Sequence, residues 1–170
     1  IQEEISQGAG RIAGALGLSN LILFYDANNI QLSTKVEEVT AENTAEKYEA
    51  WGWNVITIDG NDADQIREAL TAAGNEKERP TLIIGKTLMG KGALGPEGED
   101  FSNKVSTHGQ PLTGAGASIE KTIENLGGDP RHPFTIFPEV KAYYEKALEA
   151  KRAYARKKKA EQEAWEKAQP

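Results

Sequence analysis

Three apolar runs divide the first half of the chain: Leu21 to Tyr25, Asn54 to Ile58 and Thr81 to Leu88. Each is nearly continuous rather than alternating, a pattern that predicts strands of a parallel sheet with both faces covered. Helical periods precede and separate them. Ile5 to Leu16 predicts a helix ahead of the first strand, Thr44 to Trp51 one before the second, and Ala63 to Ala73 one before the third. Asp62 stands where that last helix needs an N-cap, with Gln65 three residues on, and Gly74-Asn75 marks its end. Strand, helix, strand, helix, strand at this spacing implies right-handed crossovers and a three-layer αβα sandwich built on a mostly parallel sheet.

Beyond Leu88 the pattern breaks. The glycine-rich stretch "MGKGALGPEGEDFSNKVSTHGQPLTGAGAS", Met89 to Ser118, predicts a long loop, and loops of that length without structure of their own are mostly functional or disordered. A short helix from Ser118 to Asn125 closes at Gly127-Gly128. After "DPRHPFTIFPEV" a long polar helix runs from Pro138 to about Ala168, with Pro138 in its first turn. It carries too little apolar surface to pack by itself, so residues 138–170 are expected to form a connector laid over another part of a longer protein, and residues 1–137 a partial α/β domain.

At 170 residues, 38% hydrophobic and 27% charged, the chain has ordinary globular composition and enough length for one core. The absence of cysteine removes disulfides, thiolate metal sites and thiol nucleophiles, and fits a reducing compartment. Apolar runs fall far short of the roughly 20 residues a membrane span needs, so a cytoplasmic protein with no membrane partner is expected. A net charge of −6 gives no electrostatic footprint for nucleic acid. The basic run Lys151 to Lys159, "KRAYARKKK", is followed by Glu161, Glu163 and Glu166 and reads as a solvated helix face. The chain opens Ile1-Gln2-Glu3-Glu4 without an initiator methionine, as an excised piece of a longer protein would.

In open α/β sheets ligands gather at the carboxyl ends of strands. Asn28 and Asn29 fall there, after the first strand, in "FYDANNIQLS". A carboxamide oxygen is a neutral hard ligand for magnesium or calcium, and the carbonyl of Ile30 can supply a second oxygen; an Asn-Asn pair in this place is also a common turn. Gly8-Ala9-Gly10-Arg11-Ile12-Ala13 matches a dinucleotide fingerprint in form but lies inside a helix with no strand before it, so close helix packing explains it better. Gly85-Lys86-Thr87 has a P-loop's ending without the leading glycine, and is set aside. His108, in "STHGQPL", is a candidate proton carrier as well as an ordinary surface histidine; His132 reads as structural.

Taken in order, "EEISQGAGRIAGALGLSNLILFYDANNIQLS", "TAEKYEAWGWNVITIDGNDADQI", "RPTLIIGKTLMGKG" and "STHGQPLTGAGAS" resemble transketolase, specifically its amino-terminal domain that binds thiamine diphosphate. The resemblance covers the chain from Glu3 onward. It implies that Asn28 binds metal and diphosphate, that Ile30 gives a main-chain carbonyl to the metal, Mg2+ or Ca2+, and that Leu32 lies near the thiazolium ring. It further implies that His108 contacts cofactor and substrate, and that Glu3 joins an acidic network across a homodimer. Glu4 and Asn29 replace glycines of the family pattern, and the family's opening Gly-Asp-Gly, which carries a metal-binding aspartate, is absent. The activity implied is transfer of a two-carbon ketol unit between sugar phosphates in the pentose phosphate pathway. The glutamate that drives cofactor ionisation and most phosphate-binding arginines belong to a following pyrimidine-binding domain, so the piece alone is expected to be inactive. The related 1-deoxyxylulose 5-phosphate synthase and phosphoketolase share the fold, though "THGQPL" with the connector helix favours transketolase. A non-catalytic module or subunit of a split enzyme is the alternative from another class.

Overall fold

A computed structural model of the chain describes residues 4–169. It divides into two compact units, Ile1–Leu126 and Gly127–Pro170. The first holds helix α1 (Glu4–Ala15), strand β1 (Ile22–Ala27), helix α2 (Thr44–Ala50), strand β2 (Asn54–Asp59), helix α3 (Ala63–Asn75), strand β3 (Thr81–Lys86) and the short helices α4 (Leu112–Ala115) and α5 (Ile119–Asn125). The second is dominated by α6 (Pro138–Ala168), a 31-residue helix with Pro138 in its first turn.

The sheet is parallel, in the order β1-β3-β2, with Ile22 and Asn54 both in register with Thr81. Its two faces are covered by different helices. On one, Leu82 and Ile84 of β3 pack with Ala13 of α1, Tyr48 of α2 and Trp53, joined by Leu23, Tyr25 and Val55. On the other, Ile83, Ile56 and Ile58 meet Ala69 and Ala73 of α3. This is the three-layer arrangement the strand-helix alternation predicts, because consecutive parallel strands need crossovers that return over a face.

Helix starts follow the local chemistry. Asp62 caps α3 by accepting the amides of Asp64 and Gln65 through Oδ1, while Gln65 Nε2 donates to its Oδ2. The amides of Gln65 and Asp64 hold the Asp62 carboxyl below the usual carboxylate range. Asn43 caps α2 and Ser118 caps α5 in the same way.

Three expectations need correction. Burial on both faces holds for β3 alone: Leu82 and Ile83 are fully buried, whereas β1 alternates, leaving Ile22 and Phe24 at 37% and 40% exposure. β3 lies between two strands, and α3 packs on β2 and β3, so the α3-side face of edge strand β1 is left open. Secondly, β3 ends at Lys86 rather than Leu88. Thirdly, Met89 to Ser118 has structure of its own. Leu94 bridges Asp100 and Ser118, and Ala93, Phe101 and Ala117 form a small core with Leu112 and Ala115. Glycines at positive φ, among them Gly90 and Gly116, supply the bends.

No helix among the described residues is long and apolar enough to cross a membrane. The basic run of α6 is exposed, with Lys157 and Lys158 both ion-paired to Glu161, as a solvated face would be. His132 lies on an exposed turn with Nδ1 3.1 Å from Asp129 Oδ2.

Candidate cofactor-binding site

β1 ends at Ala27, and the next residues turn sharply. Asn29 adopts φ of 61°, a conformation asparagine tolerates better than most residues. Asn28 folds its side chain back so that the Ile30 amide donates to Oδ1 at 2.9 Å, an Asx turn. Val36 donates to the Asn29 carbonyl and Gln31 to the Thr34 carbonyl, so this loop is pinned from several sides. Ile30 is buried, yet among the described residues nothing donates to its carbonyl. The asparagines form a turn, and that turn constrains two oxygens close together in sequence, one carboxamide and one main-chain.

Parallel pairing brings a cation to the same place. Lys86, the last residue of β3, is in register with Ala27, and both line a cleft of about 360 Å3 with Asn28, Asn29, Thr87 and Asn103. Among the described residues Lys86 forms no ion pair. In the sequence Lys86 stands only in the incomplete P-loop match Gly85-Lys86-Thr87. Its value comes from the strand order, for which the sequence holds no short-range signal.

His108 follows the single helical turn Val105–Thr107, where its amide donates to the Val105 carbonyl. Its Nδ1 is buried without a hydrogen-bond partner among the described residues. An orphaned buried nitrogen costs about 1–3 kcal/mol, a penalty removed only by a partner. The neighbouring Gly109 approaches Leu32: a Cβ built on Gly109 would stand 3.9 Å from Leu32 Cδ1. Leu32 is 75% exposed, an apolar side chain presented rather than buried. The histidine loop and the loop after β1 thus meet, although 76 residues part Leu32 from His108 in the chain. Glu3 lies outside the described residues.

For a hard divalent cation the donors are right in kind, a neutral carboxamide oxygen and a carbonyl, but two fall short of the six or more such ions take. Among the described residues no cluster of three or more His, Cys, Asp or Glu could hold a metal.

The family model for transketolase, thiamine diphosphate binding domain, matches residues 1–170. Among curated proteins, Transketolase 2 of Xanthobacter flavus is 37% identical over 100% of this chain and 24% of its own length. Transketolase 1 of Vibrio cholerae serotype O1 is 39% identical over 94% of this chain and 22% of its own length. The crystal structure of transketolase from Campylobacter jejuni aligns with a TM-score of 0.77 at 37% identity, covering 87% of this chain and 22% of that one. A Pichia stipitis transketolase in complex with sedoheptulose-7-phosphate aligns at TM-score 0.82 and 26% identity, covering 92% and 22%. The chain therefore spans about a quarter of the length of the relatives it matches.

Proposed function

The chain belongs to the transketolase thiamine diphosphate binding domain family, and from that premise we propose that it is part of a thiamine diphosphate-dependent transketolase that moves two-carbon ketol units between sugar phosphates. The observation that carries the reading is the donor pair after β1: Asn28 Oδ1, oriented by the Ile30 amide, and the Ile30 carbonyl, to which nothing donates among the described residues. In this reading both oxygens hold Mg2+ or Ca2+, and diphosphate oxygens complete the shell. The ammonium of Lys86 faces the diphosphate charge from the same cleft. Leu32 offers an apolar contact to the thiazolium ring, and His108 offers Nδ1 to an oxygen of cofactor or substrate. The bound cofactor supplies the electron sink for breaking and forming the carbon–carbon bond; the residues of this chain bind, orient and manage protons.

The intact protein acts as a homodimer in this proposal, with the pyrimidine end of the cofactor held by a domain beyond these residues. In this reading residues 1–170 hold only the diphosphate end of the cofactor, so the isolated chain is inactive. Ketol transfer from xylulose 5-phosphate to ribose 5-phosphate tests this, with thiamine diphosphate and Mg2+ present. Turnover is expected from the intact protein and none from residues 1–170 alone. In the intact protein Asn28→Leu is expected to weaken Mg2+-dependent cofactor binding about 10–100-fold or more. Turnover by the isolated chain, or unchanged affinity in the variant, would overturn the proposal.

A further inference from the structure

We propose that Asp26 is a positioning residue that fixes which end of the Asn28 carboxamide faces the cation, an inference that rests on the reading of Asn28 and Ile30 given above. The two ends of a carboxamide are nearly isosteric, but only the oxygen binds a metal. A half-turn about the last side-chain bond would present two N–H donors to the cation instead. The partners on each side decide the matter. Asn28 Nδ2 donates to Asp26 Oδ1 at 3.5 Å, and the Ile30 amide donates to Asn28 Oδ1 at 2.9 Å. A carboxylate only accepts and a main-chain amide only donates, so both contacts select the same orientation.

Asp26 is itself held. Thr87 Oγ1, on the first residue after β3, donates to the same Asp26 Oδ1. Asp26 is in register with Gly85, so the carboxylate lies between two adjacent strand ends whose last residues, Ala27 and Lys86, line the cleft together with Asn28 and Thr87. Gly60 and Gly85 approach closely beside it, where a Cβ on Gly60 would stand 2.6 Å from Thr87 Cγ2. Thr87 is thereby confined on its methyl side while its hydroxyl meets Asp26. Nothing in this arrangement needs the Asp26 negative charge to touch the ion; it needs an acceptor at Oδ1.

The test is calorimetric titration of the intact protein with thiamine diphosphate at fixed Mg2+ and in its absence, with thermal unfolding of each variant measured alongside. Asp26→Leu is expected to lose about 10–100-fold in Mg2+-dependent affinity, and Asp26→Asn, which keeps the acceptor oxygen, to stay within about threefold of the parent. Thr87→Val is expected to shift affinity in the same direction by less. In an Asn28→Leu background Asp26→Leu is expected to add nothing, since the group it orients is gone. Equal losses in Asp26→Asn and Asp26→Leu would make Asp26 a direct charge partner of the ion and overturn the proposal. So would a fall in unfolding temperature for Asp26→Leu with affinity unchanged. An Asn28→Leu variant that binds normally sinks the underlying site reading, whereas impaired Asn28→Leu beside normal Asp26→Leu sinks this inference alone.

Discussion

The imidazole of His108 carries an unmet obligation: Nδ1 is buried and has no hydrogen-bond partner among the described residues. A group in that condition lowers stability until a partner satisfies it. Replacing it by leucine should leave the unliganded unfolding free energy within about 1 kcal/mol of the parent, or raise it, because the desolvation cost disappears with the nitrogen. In the intact protein the same variant should lose most ketol transfer. A thermal melt and an activity assay on one preparation check both halves, and a large loss of stability would mean that His108 is an ordinary core residue. At this scale the sequence was informative where residue chemistry is scarce: two histidines and one Asn-Asn pair after a strand leave few candidates. Lys86 is not legible in this way, because one lysine among 20 basic side chains is distinguished only by what its strand lies beside.

Helix α1 shows how an element's packing separates residues of the same type. Its glycines suggested close packing, and the structure assigns that role unevenly. Gly10 lies against Trp51, with a virtual Cβ 3.2 Å from the indole, and its carbonyl accepts from Trp53 Nε1 at 2.8 Å. At Gly14 a Cβ would collide with the carbonyl oxygen of Trp51, a main-chain atom that cannot swing aside. Gly8 faces open space. Gly14→Ala should therefore destabilise the chain by about 1–3 kcal/mol through overpacking. Gly8→Ala should stabilise it by up to about 1 kcal/mol through helix propensity. Urea denaturation of the two variants checks the contrast, and equal effects would refute this account of α1. Capping was legible because it is local: Asp62 with Gln65 acts over three residues. The exposed alternation of β1 was not, since an edge strand and a central one can carry the same apolar run.

Across the whole molecule the apolar clusters around Leu82, Ile83 and Phe101 all lie within the unit Ile1–Leu126, and α6 contains no buried residue. A chain ending at Leu126 should therefore keep a cooperative unfolding transition, followed by circular dichroism in denaturant; a gradual, non-cooperative loss of signal would show that the core needs more than these residues. What the sequence determined alone was the alternation of strands and helices, the caps and turns, and the family resemblance, because each depends on neighbours a few positions apart or on motifs kept in order. The tertiary structure decided the rest. Only the order β1-β3-β2 sets Lys86 beside Ala27 and joins Thr87 to Asp26 across 61 residues. Those contacts follow from which strand occupies the centre of the sheet, a choice made by the burial of Leu82 and Ile83 between two helical layers rather than by any residue's own preference.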